Sequence, residues 1–89
     1  MWFVYIVRCA DKSLYTGITN DLDARLHDHN HSKRGARYTK SRRPVQLIFF
    51  ERKRNKSYAL KREAEIKSWS RDEKESFLLK TIDNATKIE

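Results

Sequence analysis

An apolar run at residues 2–9 constrains the possible folds of this chain more than any other segment. It is rich in aromatic and β-branched side chains, and apolar residues occupy odd and even positions alike except at Arg8. Successive strand residues point to opposite faces of a sheet, so the run predicts a central strand covered on both faces. Arg8 and the lack of a preceding basic segment fit neither a transmembrane helix nor a signal peptide. Cys9, the single cysteine, requires no oxidising compartment, so a cytoplasmic protein with no membrane partner is expected.

Chain length and charge narrow the class of protein. A chain of 89 residues supports one hydrophobic core. We therefore predict one domain over residues 1–80 and a frayed tail over 81–89. Twenty Lys and Arg against twelve Asp and Glu give a net charge of +8, which favours a polyanionic partner, nucleic acid first. Composition alone leaves a merely soluble basic domain equally open.

Two further segments have strand composition. Residues 10–13 are typical of a turn and residues 14–19 of a strand, which predicts an antiparallel hairpin with the first strand. Tyr5 and Tyr15 then share a sheet face if the numbers of paired residues sum to an even value, and the sequence leaves that register open. Residues 45–52 form a third strand. Strict alternation puts Val45, Leu47 and Phe49 on one of its faces and Ile48 and Phe50 on the other.

Three helices are expected around these strands. The first is capped by Asn20 or Asp21 and ends near Asn30. The second covers residues 56–69, which are rich in helix formers. The third starts behind the capping box Ser-x-x-Glu at residues 70–73.

Glu63 lies on the predicted inward stripe of the second helix, which consists of Ala59, Leu60, Ile66 and Trp69. Burying a carboxylate is costly unless a cation or an arginine compensates it. The position therefore indicates a metal or an ion pair. The alternative is that Glu63 lies at the edge of the stripe and reaches solvent, which is the commoner situation for a single glutamate.

Arg25 and His29 are four residues apart on a helical face that also carries Leu22 and Leu26. A guanidinium donates two parallel hydrogen bonds to phosphate, and an imidazole exchanges a proton near neutral pH. Both side chains could therefore serve a cleft. A solvated helix face is the alternative for each of them.

Five positions together match a known pattern: Tyr5 in Val4-Tyr5-Ile6, Tyr15 ten residues later in Tyr15-Thr16-Gly17, then Arg25, His29 and Glu63. In order and spacing the chain resembles the GIY-YIG nuclease family over residues 2–80. It is most similar to the small stand-alone bacterial members through three more segments. These are Ala36-Arg37-Tyr38-Thr39, Arg42-Arg43-Pro44-Val45 and Ala59-Leu60-Lys61-Arg62-Glu63.

The resemblance implies an α+β fold, a three-stranded antiparallel sheet with the first strand central and about three flanking helices. It implies that Glu63 holds one divalent ion, Mg²⁺ or Mn²⁺, and that Arg25 neutralises charge on the phosphoryl oxygens. Tyr5, with or without Tyr15, would orient or deprotonate the attacking water, and His29 would relay the proton.

The implied activity is an endonuclease that hydrolyses DNA with low sequence specificity, selective for branched, flapped or damaged forms in repair or recombination. The basic loop at residues 31–44 is expected to bind the phosphate backbone. Its contact residues would be Lys33, Arg34, Arg37, Tyr38, Lys40, Arg42 and Arg43. Tyr38 would stack on a base or pack in the loop. A non-catalytic nucleic-acid-binding module and a protein-interaction domain are the alternatives, and no feature indicates a protein partner.

Overall fold

The computed structural model describes the backbone of residues 1–88 and the side chains of residues 1–81. Its elements are β1 (Trp2–Arg8), β2 (Leu14–Thr19), α1 (Leu22–His31), α2 (Arg37–Lys40), β3 (Gln46–Lys53), α3 (Lys56–Lys67) and α4 (Arg71–Ile88). The predicted order is confirmed, and the basic loop adds the short helix α2. A frayed tail was predicted at residues 81–89. From residue 82 onward this tail lies outside the side chains that the structure describes. No helix in the described chain combines the length and apolarity needed to cross a membrane.

The sheet is antiparallel with strand order β2-β1-β3, so β1 is central as predicted. Tyr5 pairs with Gly17 and Val7 pairs with Tyr15. The paired numbers sum to an even value, and directly opposed residues of an antiparallel pair share a face. Tyr5 and Tyr15 therefore project from the same side of the sheet.

Each face of the sheet carries its own core, which explains the apolar residues at both parities of β1. Val4 and Ile6 are fully buried against residues of α3 and α4. Tyr5, Val7 and Cys9 form the second cluster, against which Leu22 and Leu26 of α1 pack. The main partners on the first face are Ala59, Ile66 and Leu78.

A β-bulge overturns the predicted faces of β3. Ile6 pairs with Phe49, but the next residue of β1, Val7, pairs with Leu47, so Ile48 is the extra residue. An extra residue breaks the two-residue period. Leu47 accordingly packs with the cluster facing α1, while Ile48 and Phe49 pack with the cluster facing α3. The expectation that Leu47 and Phe49 share a face is wrong.

The stripe of α3 is narrower than predicted. Ala59 and Ile66 are fully buried, whereas Leu60 is 45% exposed. Leu60 is rotated by about 100° from Ala59, which turns it away from the sheet. Glu63, four residues after Ala59 and three before Ile66, stays on the covered side, with its side chain 18% exposed.

The predicted helix starts are confirmed by their caps. Asp21 accepts a hydrogen bond from the backbone N–H of Ala24. Ser70 and Glu73 each accept from the other's backbone N–H, at 3.1 and 2.9 Å. Arg8, the polar residue of β1, forms a two-bond ion pair with Glu75 that ties α4 to the sheet.

Candidate active site

A chain of three buried side chains joins β1 to α1 and α2. The hydroxyl of Tyr5 lies 2.7 Å from Nε2 of His29, and Nδ1 of His29 lies 2.8 Å from Oγ1 of Thr39. His29 and Thr39 are fully buried, and Tyr5 is 2% exposed. All three groups therefore depend on one another for hydrogen bonds.

The contacts of Thr39 indicate one set of proton positions in this chain. Its hydroxyl donates its single proton to the carbonyl of Ala36, at 2.9 Å. It must therefore accept the proton on Nδ1 of His29. A neutral imidazole with a protonated Nδ1 has an unprotonated Nε2, so the Tyr5 hydroxyl donates to His29.

The surroundings keep both ring systems neutral. Burial, as the main cause, raises the pKa of Tyr5 to about 12, although Arg25 opposes the rise. Burial also lowers the pKa of His29 to about 4, and the positive charges of Arg25 and Arg43 lower it further. The proton thus rests on Tyr5 in the free protein, and His29 remains a neutral acceptor.

The free energy of unfolding should depend on pH in acid because His29 is neutral in the folded protein. The folded protein leaves the imidazole unprotonated until about pH 4, whereas the unfolded chain protonates it near pH 6.5. The unfolded state binds more protons between those values, so the free energy of unfolding should fall by about 3 kcal/mol as pH drops from 7 to 4. Urea denaturation across this range measures the slope.

Two variants separate this contribution from those of the carboxylates. His29→Gln should flatten the slope by most of that amount, while His27→Gln, at an exposed position on the same helix, should keep the parent slope. Parallel curves for the parent and His29→Gln would contradict a neutral buried imidazole.

Gly17 provides the space for the Tyr5 ring. A Cβ at this position would lie 2.6 Å from Oη of Tyr5 and 2.8 Å from Cζ, closer than any ordinary contact. The absence of a side chain opposite Tyr5 therefore lets the phenol lie flat over β2 and reach His29.

We expect Gly17→Ala to destabilise the fold by about 1–3 kcal/mol, because the buried Tyr5 ring must move. Urea denaturation measures the loss. The same change in a Tyr5→Phe background should cost less, since the nearest clashing atom, Oη, is gone. An equal loss in both backgrounds would show that the phenol is not what Gly17 accommodates.

The basic loop is held firmly where Thr39 meets His29. The Arg43 guanidinium donates to the carbonyls of Asp28, His29 and Ser32 at the end of α1. The Asn30 side chain bonds both the N–H and the carbonyl of Val45. Arg43 was predicted to contact nucleic acid. Its Nε and Nη2 groups bond the backbone and so hold the loop against α1, while its contact with nucleic acid stays a prediction.

Arg25 lies beside the chain of buried groups. With Tyr5 and His29 it lines one small recess, and its Nη1 donates to the carbonyl of Arg34 at 2.8 Å. Its charge affects the pKa values of both Tyr5 and His29. A hydrogen bond from Arg25 to the Tyr5 hydroxyl is among the causes that lower the pKa of that phenol.

Glu63 belongs to the same electrostatic neighbourhood, because its charge contributes to the raised pKa of Tyr5. It pairs with Lys67 Nζ at 3.2 Å, and that lysine is half-exposed. No group of three His, Cys, Asp or Glu side chains able to hold a metal occurs among the described residues. One carboxylate nevertheless fits Mg²⁺, which keeps several waters and binds through one or two carboxylates plus substrate phosphate.

Two aromatic rings and a guanidinium form a stack beside His29. Tyr15 contacts His29 edge-on and stacks on Tyr38, with ring centroids 6.0 Å apart. The Arg42 guanidinium lies over the Tyr38 ring, 3.9 Å from its centroid, and pairs with Asp11. The remaining loop cations are exposed: Lys33, Arg34, Arg37 and Lys40.

Comparison with known proteins identifies the family. The model of the GIY-YIG catalytic domain matches residues 1–76. The chain belongs to the GIY-YIG family. GIY-YIG domains are nuclease domains, and the nucleases that carry them generally use a divalent metal.

Similar GIY-YIG chains occur in several bacteria. A UPF0213 protein of Desulfotalea psychrophila is 58% identical over 69 residues, which cover 78% of this chain and 63% of that protein. A UPF0213 protein of Staphylococcus epidermidis is 57% identical over 72 residues, covering 81% of this chain and 87% of that protein. The solution NMR structure of a UPF0213 protein of Bacillus halodurans, 40% identical, covers 88% of this chain and 83% of its own with a TM-score of 0.57. The predicted family and fold are confirmed.

The fold brings Tyr5, Tyr15, Arg25, His29 and Glu63 into one region of this GIY-YIG domain, and it adds a residue that the sequence analysis overlooked. Thr39 ends the segment Ala36-Arg37-Tyr38-Thr39, in which the sequence points to nucleic-acid contacts only. A threonine in a polar loop gives no periodic signal of burial. Its importance emerges only from the contact with His29.

Proposed function

We propose that this chain is a metal-dependent endonuclease that hydrolyses phosphodiester bonds of DNA, with low sequence specificity and a preference for branched, flapped or damaged forms. The hydrogen-bond chain from Tyr5 through His29 to Thr39 carries the proposal. A buried tyrosine that donates to an unprotonated imidazole has a route for its own proton. Packing alone does not require such a route.

The route addresses the weakness of tyrosine as a base. A phenol whose pKa is about 12 cannot be ionised at neutral pH. In the proposed step, Oη of Tyr5 takes a proton from the attacking water while its own proton passes to Nε2 of His29. Thr39 holds the ring in the accepting tautomer. Neither residue needs to carry a charge before the reaction.

Arg25 would bind the scissile phosphate and stabilise the negative charge that grows on its oxygens. This contact has a second effect. The charge of Arg25 is one cause of the low pKa of His29, and a phosphate paired with the guanidinium would offset it. Substrate binding would thus make His29 a better proton acceptor.

Glu63 would hold the single Mg²⁺ or Mn²⁺, with Lys67 moving aside towards solvent. That ion, when bound, polarises the phosphate and stabilises the leaving oxygen. The exposed cations Lys33, Arg34, Arg37 and Lys40, with Arg42 and Tyr38, would hold the backbone of the substrate. Phosphate contacts of this kind carry little base information, in keeping with low specificity.

Cleavage of a substrate panel tests the proposal. The purified chain is incubated with labelled blunt duplex, flapped and branched DNA, with Mg²⁺, with Mn²⁺ or with EDTA. We expect metal-dependent cuts that EDTA abolishes and that favour the flapped and branched forms. Salt-sensitive binding that is unaffected by chelator, without cleavage under any condition, would identify the non-catalytic binding module instead.

A further inference from the structure

A second cationic surface lies at the end of β3 and the first turns of α3. Arg52, Arg54, Tyr58 and Lys61 line an open pocket there of about 480 Å³, which we name the β3–α3 pocket. A helix turns by about 100° per residue, so Glu63 points about 140° away from Tyr58. The pocket is therefore on a different flank of α3 from the candidate active site, and the basic loop does not contribute to it.

The charge of the pocket is not balanced within the fold. Residues 52–62 contain six Lys and Arg and no Asp or Glu. One carboxylate, Glu65, also lines the pocket and pairs with Arg62, which lines it too. The neighbouring Glu51 pairs with Arg62 and Lys53.

Three cations of this surface remain available for a ligand. Within residues 1–81, whose side chains are described, Arg52, Arg54 and Lys61 form no ion pair. Like charges that line one pocket repel one another and are stabilised by an anionic partner. Successive phosphate groups of an extended nucleic-acid strand fit three cations that are spread along one pocket.

An exposed aromatic ring distinguishes this surface from a merely basic one. Tyr58 is 51% exposed, and Lys61 Nζ lies 5.8 Å from its ring centroid. An exposed ring flanked by cations is the usual stacking platform for single-stranded nucleic acid. In a duplex the bases stack on each other, so only an unpaired base can use Tyr58.

We propose that the β3–α3 pocket binds a single-stranded segment of nucleic acid. One unpaired base stacks on Tyr58, and the adjoining phosphates contact Arg52, Arg54 and Lys61. The inference rests on the proposed function, which supplies the position of the scissile bond, and it deepens that function by naming the form of the substrate. The preferred substrate carries an unpaired strand that reaches this flank of α3 while the bond to be cut lies at Tyr5.

Binding in EDTA, where no cleavage occurs, tests the pocket separately from catalysis. Fluorescence anisotropy compares a labelled duplex carrying a single-stranded overhang with a blunt duplex. Tyr58→Ala should weaken binding of the overhang substrate about tenfold and leave the blunt duplex unchanged, while Tyr58→Phe should restore parent affinity. Lys61→Gln should reduce the salt slope for the overhang substrate by about 0.7, whereas Lys80→Gln, on α4, should not change it.

Two results would overturn the inference. Unchanged overhang binding in Tyr58→Ala and Lys61→Gln would mean that the pocket takes no strand. Equal losses on blunt and overhang substrates would mean that it binds duplex phosphates. A parent chain that binds overhangs through Tyr58 but never cuts them contradicts the proposed function and leaves the pocket assignment intact.

Discussion

Tyr5→Phe should lower the rate of DNA cleavage by at least about 100-fold, the range expected for the loss of a positioned proton acceptor. The ring remains to fill the core, but the hydroxyl that lies 2.7 Å from His29 is removed. Single-turnover cleavage with excess enzyme isolates the chemical step. Affinity for DNA, measured in EDTA, should stay within about twofold of the parent value, because the loop cations are untouched.

Thr16→Val is the matched control for Tyr5→Phe. Thr16 is also a buried residue of the sheet, and its hydroxyl has no hydrogen-bond partner among the described residues. Removing that hydroxyl should leave the cleavage rate unchanged and should not reduce stability. If Tyr5→Phe cut as fast as Thr16→Val, the phenol would not be the proton acceptor.

Glu63→Gln should abolish cleavage at millimolar Mg²⁺, a loss of at least about 100-fold, because the amide cannot supply the anionic ligand that holds the ion. The change keeps the shape of a side chain that is only 18% exposed. A second readout is independent of activity. Mg²⁺ should raise the melting temperature of the parent and not that of the variant, since only a ligand that binds the folded state stabilises it.

Asp72→Asn removes a carboxylate from the exposed first turn of α4 and serves as the comparison. It should cut at the parent rate and show the parent response to Mg²⁺. A Glu63→Gln variant that retains both properties would place the ion elsewhere or remove it from the reaction.

The strands were predictable because their signals are local. The strand β1 carries apolar residues at odd and even positions, so both of its faces must be covered. The two core clusters cover them. The hairpin register was not predictable, since the turn at residues 10–13 leaves odd and even pairings open. The pairing of Tyr5 with Gly17 decides it.

Two errors share one physical cause, which is that tertiary contacts override a local pattern. The bulge at Ile48 reverses the face of Leu47 relative to Phe49. Leu60 turns outward because α3 covers the sheet with a narrower stripe than its composition suggests. Tertiary contacts also hold Arg43, which bonds the carbonyls at the end of α1, and its predicted contact with nucleic acid stays a prediction.

The candidate site was predictable as a set of residues and not as a mechanism. Helix phasing singled out Glu63, Arg25 and His29, and the family resemblance added the tyrosines. The proton positions depend on Thr39 and on the carbonyl of Ala36. No sequence pattern connects either group to His29. The structure therefore joins three of these side chains in a chain of hydrogen-bond donors and acceptors.

The tautomer of His29 is the claim on which the proton route depends, and long-range ¹H–¹⁵N NMR of the imidazole measures it directly. At neutral pH we predict a protonated Nδ1 and an unprotonated Nε2, unchanged down to about pH 5 because the pKa of His29 is about 4. An imidazolium, or a neutral ring with its proton on Nε2, would contradict the account, because His29 could not then accept the proton of Tyr5.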